Sequence, residues 1–491
     1  MDSTSINLKE LQEKAQKAKE DKKIFTIFGH ETIRQSLLIR GWIEKFTDKQ
    51  ILYVKPGTER FLLHHMVKAA ATYFIWKPKY LEISNVFNPC PCVNSIIRER
   101  ILDFTTKDGL ISCCDNIHWH TIDGVSNVNY QRSYYLIDKC NKDEFSDDFK
   151  QTFVTGFLAF LNDHKDFNSL FSMTGELSID CLQFALLKIE LAIKKKLHDD
   201  IDTSRLFDIC VKHPKNQKEM FHQMKLIISG TKKFNYEGNF SIETMKLKVK
   251  HLVSDINEQW PDSIYDGYHN IWILKPVGYS CGSGIILMNN EEKILTHVQN
   301  QSASRFVVQK YIEKPLLIHN KKFDIRIYFM TFINKGKVNI WLYKNCYIKV
   351  CSVNFNLDNL NKSIHVTNHG VQKNYFDQKS EFARTENMWT LNQFKIYLKS
   401  IGKEDIWDKE IYEQIKRNIY AVVVSSLEAT DLDKNTFELN GADFMITYDY
   451  KPNLIEINSR PDLFFSKIVI NMISDRLMED IIKGISSTVM S

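Results

Sequence analysis

GADFMITYDYKPNLIEIN, Gly441 to Asn458, reads as two short apolar runs parted by a turn signal, DYKPN. Runs of this length, rich in β-branched and aromatic residues, predict two strands joined as a hairpin. Side chains alternate along a strand, so Leu454, Glu456 and Asn458 share one face while Ile455 and Ile457 occupy the other. With the turn centred near Asp449 and Tyr450, Asp443 falls opposite Glu456. Two carboxylates and an amide then gather on one face. Burying carboxylates side by side is costly unless a cation joins them, and three oxygen donors suit a hard ion such as Mg²⁺. A solvent-facing polar strand face would need no ion, and spacing alone leaves both readings open. Arg460, the next in-phase position, adds a cation to the same run.

Upstream of the hairpin, further strands are predicted in NIWILKP, RFVVQKYI, KFDIRIYFMTFI and VNIWLY, with helical stretches NQFKIYLKSI and YEQIKRNIYAVVVSSL between them. That is an α+β region with a mostly antiparallel sheet. In KKFDIRIYFM, Asp324 and Arg326 share one strand face opposite Phe323, Ile325 and Ile327. They form either a surface pair or a cleft pair whose arginine stabilises a phosphoryl group. HVTNHG, His365 to Gly370, reads as a polar turn or as part of the same site.

KPVGYSCGSGI, Lys275 to Ile285, sets a lysine at a strand end before a glycine loop. That pattern suits a polyphosphate, because backbone N–H groups can approach where no Cβ intrudes. It is neither a Walker A sequence nor a GxGxxG fingerprint, and a plain turn explains it equally. FVVQKYIEKPLLI, Phe306 to Ile318, could offer backbone groups and an apolar slot to a purine, or be a core strand with Lys310 exposed.

Toward the N-terminus, residues 1 to about 23 read as a charged amphipathic or frayed helix. KIFTIFG, ILYVKP and YFIWKP are predicted strands of an α/β domain over 24–145. A helical pattern follows from Ser146, including FALLKIELAIKKKL. We therefore expect a central domain over 146–300 and a C-terminal domain over 301–491. Lys188 to Lys250 carries 14 Lys/Arg against 8 Asp/Glu, either a solvated helix surface or a docking face for an acidic partner. Over 491 residues the net charge is only +5, which makes no polycation for nucleic acid. No run of 18 apolar residues is present, so no membrane span is expected. The N-terminal segment has no apolar signal region, and a reduced cytosolic protein is the default expectation. Cys90/Cys92 and Cys113/Cys114 lack zinc-knuckle spacing, although Cys113, Cys114, His118 and His120 could form a metal cluster.

The order of these pieces, lysine strand, glycine loop, apolar hinge, Asp-x-Arg strand, Asp hairpin and Glu-x-Asn strand, resembles that of an ATP-grasp carboxylate–amine ligase. The chain resembles the tubulin–tyrosine ligase-like family from about Lys23 to Ile485. IFTIFGHETIRQSLLIRGWIEK, DFTTKDGL, VVQKYIEKPLLIHNKKFDIRIYF and SIHVTNHGVQK are most similar to its glycylase branch. The resemblance implies an ATP-grasp-like fold of mixed α/β and α+β type, and ATP-dependent joining of glycine to glutamate side chains of tubulin tails through an acylphosphate. It implies that Asp443, Glu456 and Asn458 hold Mg²⁺. Lys275 would contact ATP phosphates, with Ser280, Gly282, Gly284 and Ile285 in the loop above. Gln309, Lys310, Tyr311 and Ile312 would line the adenine pocket, largely through backbone. Arg326 would stabilise the acylphosphate, Thr367 and Asn368 would sit near the γ-phosphate and acceptor, and Lys107 would help hold tail or nucleotide. A monomer acting on microtubules, in the cytoplasm and in cilia or axonemes, completes the expectation. Polyglutamylation, or a silent microtubule-binding relative, is the alternative. Four positions depart from the family pattern: Cys281 replaces a basic loop residue, Lys344 and Lys349 replace arginines, and Arg460 replaces a small residue.

Overall fold

The computed structural model describes residues 7–29, 31–77, 92–93, 103–197, 214–235, 241–279, 282–301, 305–334, 336–373, 375, 387–427, 436–459, 461, 476–477 and 479–483. Its strands are β1 (Ile24–Ile27), β2 (Ile43–Glu44), β3 (Phe74–Trp76), β4 (Cys92–Val93), β5 (Ser133–Tyr135), β6 (Phe171–Ser172), β7 (Phe234–Asn235) and β8 (Trp272–Pro276). They continue with β9 (Ile286–Met288), β10 (Phe306–Lys310), β11 (Leu317–Ile318), β12 (Lys321–Asn334), β13 (Lys337–Val350), β14 (Met388–Thr390), β15 (Thr436–Ile446) and β16 (Pro452–Ser459).

Ten strands form one mixed sheet in the order β14-β13-β12-β15-β4-β3-β1-β2, with β16 beside β15 and β11 beside β12. Its N-terminal half is parallel and its C-terminal half antiparallel. The halves meet where Thr436 of β15 pairs in parallel with Val93 of β4. β1 is apolar at nearly every position and wholly buried, as a parallel strand covered on both faces requires. The helix Glu31–Ile39 ends at Gly41, whose φ of 80° lets Trp42 N–H turn back to the Leu37 carbonyl and seat the indole in the core.

Alternation along β12 gives the sheet two different faces. Phe323, Ile325, Ile327 and Phe329 pack with Phe394 of the helix Leu391–Ser400 and with Ile415 and Ile419 of the helix Tyr412–Ser425. On the opposite face Tyr328, Met330 and Phe332 join Phe437, Leu439 and the N-terminal residues Phe25, Leu37, Trp42 and Phe74.

A second, antiparallel sheet runs β5-β10-β8-β9. Trp272, Leu274, Phe306 and Val308 turn one face into a core with Phe145 and Phe149. Ile273, Lys275 and Gln309 face the other way, into a cleft. The helices Lys139–Asp163, Asp180–Lys196, Pro214–Ile228 and Ile242–Gln259 build a third core around Phe157, Leu182, Ile227 and Val249.

The helix Leu8–Glu20 is amphipathic as expected, burying Leu11, Ala15 and Ala18. ILYVKP is not a strand. Thr47 and Gln50 form a capping box that starts the short helix Asp48–Ile51, and the chain then turns. Hydrogen bonding also crosses the expected divisions at 145 and 300: β5 pairs with β10, and β4 with β15. No helix among the described residues is long and apolar enough to cross a membrane.

Candidate active site

The hairpin forms with Asp443 opposite Glu456 and Gly441 opposite Asn458. On the other edge of β15, Arg326 of β12 is the partner of Asp443. The two side chains meet in a double hydrogen bond: Arg326 Nε donates to Oδ1 at 2.7 Å and Nη2 to Oδ2 at 2.6 Å. Lys349 Nζ donates to the same Oδ1 at 2.8 Å. Burial alone would raise the Asp443 carboxyl, but Arg326 and Lys349 outweigh it and hold it well below the usual carboxylate range. Gly441 makes room for the guanidinium, because a Cβ there would lie 3.2 Å from Arg326 Cδ and Nη1. Asp324 and Arg326 are therefore not a surface pair, and they do not bind each other. Asp324 is buried, accepting from Lys322 Nζ at 2.6 Å and from the Thr367 hydroxyl.

Lys275 and Gln309 form the opposite wall. Lys275 Nζ donates to Gln309 Oε1 at 2.6 Å and lies 3.4 Å from the Ile455 carbonyl. Burial lowers its pKa to about 8, with Glu456 opposing the fall. Gln309 Nε2 and Gln131 Oε1 are buried in this wall without a protein partner. Such groups cost about 1–3 kcal/mol unless a ligand or water completes them. Ile285, Tyr311, Ile312, Thr367 and Asn368 line the same cavity as Lys275, Asp443 and Glu456. Lys310 is not the exposed lysine of the core-strand reading. Its side chain is buried, and its ammonium binds Glu313 Oε1 and the Asp266 and Tyr311 carbonyls at 2.8–3.0 Å.

The cleft continues past Glu456 and Asn458 to Lys107 and the glycine loop. Lys107 begins the helix Lys107–Asp115, and its Nζ donates to the Tyr279 carbonyl at 2.7 Å, tying that helix to the loop. Gly282 has φ of 75°, and a Cβ there would come within 2.8 Å of Val371 Cγ2 and 3.3 Å of Asn368 Cβ. Gly284 turns against Pro276. Ser280, Cys281 and Arg460 lie outside the described residues. HVTNHG is not a solvent-exposed turn, since His365 and Thr367 are buried. Arg326 sits behind Asp443 and is not among the residues of the cleft wall.

The profile of the tubulin-tyrosine ligase family matches residues 201–491. The chain belongs to that family. It is 34% identical to tubulin glycylase 3B of Drosophila melanogaster over 484 residues, which cover 94% of this chain and 63% of that protein. It is 33% identical to tubulin glycylase 3A of the same organism, over 98% of this chain and 51% of that one. Protein monoglycylase TTLL8 of Mus musculus is 29% identical over 95% of this chain and 61% of that protein. The chain thus spans between about half and two thirds of the length of these relatives.

Within this family member, no group of three or more His, Cys, Asp and Glu side chains gathers for a metal among the described residues, and Cys113, Cys114, His118 and His120 form none. Asp443, Glu456 and Asn458 supply two carboxylates and an amide. Glu456 Oε1 accepts from Asn458 Nδ2 at 3.2 Å. A carboxylate can accept along about four directions. Arg326 and Lys349 supply three hydrogen bonds to Asp443, two of them on Oδ1 and one on Oδ2, which leaves the carboxylate with accepting capacity. The donor set is therefore chemically compatible with a hard divalent ion completed by phosphate oxygens.

Proposed function

We propose that the chain is an ATP-dependent tubulin glycylase, an ATP-grasp ligase joining glycine to glutamate side-chain carboxylates in acidic tubulin tails. The observation that carries this reading is the similarity to tubulin glycylase 3B, which extends over 94% of the chain. The cleft chemistry supports it.

In this mechanism adenine lies along Gln309, Lys310, Tyr311 and Ile312, mainly against backbone and apolar surface, while Gln309 Nε2 offers a buried donor without a protein partner. Lys275 and the loop through Ser280, Gly282, Gly284 and Ile285 hold the triphosphate, with Lys107 fixing the loop through Tyr279. Asp443, Glu456 and Asn458 are the residues that would hold Mg²⁺. When bound, the ion neutralises phosphate charge. The acceptor carboxylate oxygen attacks the γ-phosphorus and ADP leaves. The glycine amine then attacks the acyl carbon, loses a proton, and phosphate departs with the former carboxylate oxygen. Thr367 and Asn368 sit near the transferring group. Arg326 commits Nε and Nη2 to Asp443 and sits behind it, so its part in the transfer is to hold that carboxylate in place. Such an enzyme acts as a monomer on microtubules, and the cytoplasmic, ciliary and axonemal locations follow from that acceptor.

Purified protein incubated with ATP, microtubules and labelled glycine or labelled glutamate tests the reading. Label from glycine, lost in Glu456→Gln, is expected. Label from glutamate alone would assign polyglutamylation, and no label from either would leave a binding-only relative.

A further inference from the structure

The segment 361–372 touches three parts of the cleft at once. Toward the hinge, the Tyr311 hydroxyl lies 3.0 Å from His365 Nδ1. The other ring nitrogen, Nε2, lies 2.8 Å from the Asn359 carbonyl, which can only accept, so Nε2 carries the proton and Nδ1 accepts from tyrosine. Burial keeps this imidazole neutral, lowering its pKa to about 4. The rings also pack edge to face, with centroids 5.3 Å apart. Toward the main sheet, Thr367 donates to Asp324. Toward the glycine loop, Val366, Asn368 and Val371 press on Gly282 so closely that a Cβ there would not fit. Val366 and Tyr311 share one buried cluster with Ile312. The segment is thus wedged between the surface that would hold a purine and the surface that would meet the phosphates.

We infer that His365 is a positioning residue: through its bond to Tyr311 it couples occupancy of the purine hinge to the ordering of the segment that carries Thr367 and Asn368. The hydroxyl and the imidazole touch no reacting atom. They set where Thr367 and Asn368 stand when the nucleotide is seated. Gln372, which accepts from Ser352 N–H and Oγ, ties the far end of the segment away from the cleft, and the Tyr311 bond is the tie that reaches the purine hinge. Coupling between sites of this kind is typically about 5- to 150-fold in an equilibrium.

This inference rests on the nucleotide reading above, and hydrogen exchange separates the two. ADP reaches the hinge but carries no γ-phosphate to Thr367 or Asn368. In the full chain, saturating ADP should slow exchange of the Ile364, Val366, Val371 and Gln372 amides by about tenfold, all four being hydrogen-bonded within the segment. Tyr311→Phe removes only the hydroxyl and should abolish most of that protection, with calorimetry on the variant setting the ADP concentration that saturates it. His365→Gln makes the same cut from the other side if the tyrosine variant folds poorly, and the double variant should lose no more than either single one. Full protection in the variants would overturn the coupling, showing that ADP acts through the glycine loop. Wild-type protein that binds ADP without protecting the segment would overturn it equally. Failure of wild type to bind ADP would overturn the nucleotide reading, and this inference with it.

Discussion

Residues four apart on one face of β12 occupy very different surroundings. At one end, Asp324 and Arg326 are buried among Lys322, Lys349, Thr367 and Asp443. At the other, Met330 and Phe332 lie in an apolar cluster with Phe437, Leu439 and the N-terminal half of the sheet. Strand and sheet are the same, and what differs is what covers them. The apolar end is closed by residues of the N-terminal strands and helices. The charged end opens on a cleft. Buried charge is tolerated there because each carboxylate meets cations or hydroxyls within hydrogen-bond distance, at a desolvation cost that a core built only for stability would avoid.

The largest effect is expected from breaking the charged end. Asp443→Asn leaves Arg326 and Lys349 buried without their counter-charge, which should cost about 3–5 kcal/mol. Denaturant unfolding measures it, and a midpoint matching wild type would contradict the tight Arg326–Asp443–Lys349 cluster.

A smaller effect separates the two ends by pH. His365 is held neutral in the fold, with a pKa near 4 against an ordinary value of 6.5. As pH falls below 6.5, the unfolded chain takes up a proton that the folded chain refuses. This share of stability is therefore complete above 6.5 and is lost between 6.5 and 4. The loss should reach about 2 kcal/mol between about pH 7 and about pH 5, and His365→Gln should remove it. An unchanged pH profile in that variant would contradict the buried neutral imidazole.

The smallest effect belongs to the apolar end. Met330→Leu nearly conserves volume and should cost about 1 kcal/mol at most while leaving nucleotide affinity as in wild type. A tenfold loss of ADP affinity, read by calorimetry, would mean that the two ends are not separate.

The charged end was partly legible in the sequence and the apolar end largely so. Alternation along β16 holds only in part: the register shifts by one residue at Ile455, so Leu454 and Ile457, expected on opposite faces, enter the same core, while Ile455 packs with Met445. Asp443 still falls opposite Glu456, as the DYKPN turn predicts. Which cation would answer Asp443 did not follow. Arg326 and Lys349 lie 117 and 94 residues away in the chain, and only the pairing of β12 with both β13 and β15 brings them together. Lys310 misleads in the same way, although Glu313 three residues later was a local sign of its buried partner. HVTNHG has no period of its own, so nothing local distinguishes a buried wedge from a surface turn. ILYVKP has the composition of a strand, but the capping box at Thr47 and Gln50 decides the backbone first.

The central claim is that the charged end of this sheet serves transfer of a phosphoryl group to a carboxylate, which glycine then displaces. Heavy oxygen placed in the acceptor glutamate carboxylates of tubulin tests it most directly, with the released phosphate read by mass spectrometry after incubation with ATP and glycine. The account predicts one labelled oxygen in the phosphate released for each glycine joined. Glycine joined while the phosphate stays unlabelled would contradict it.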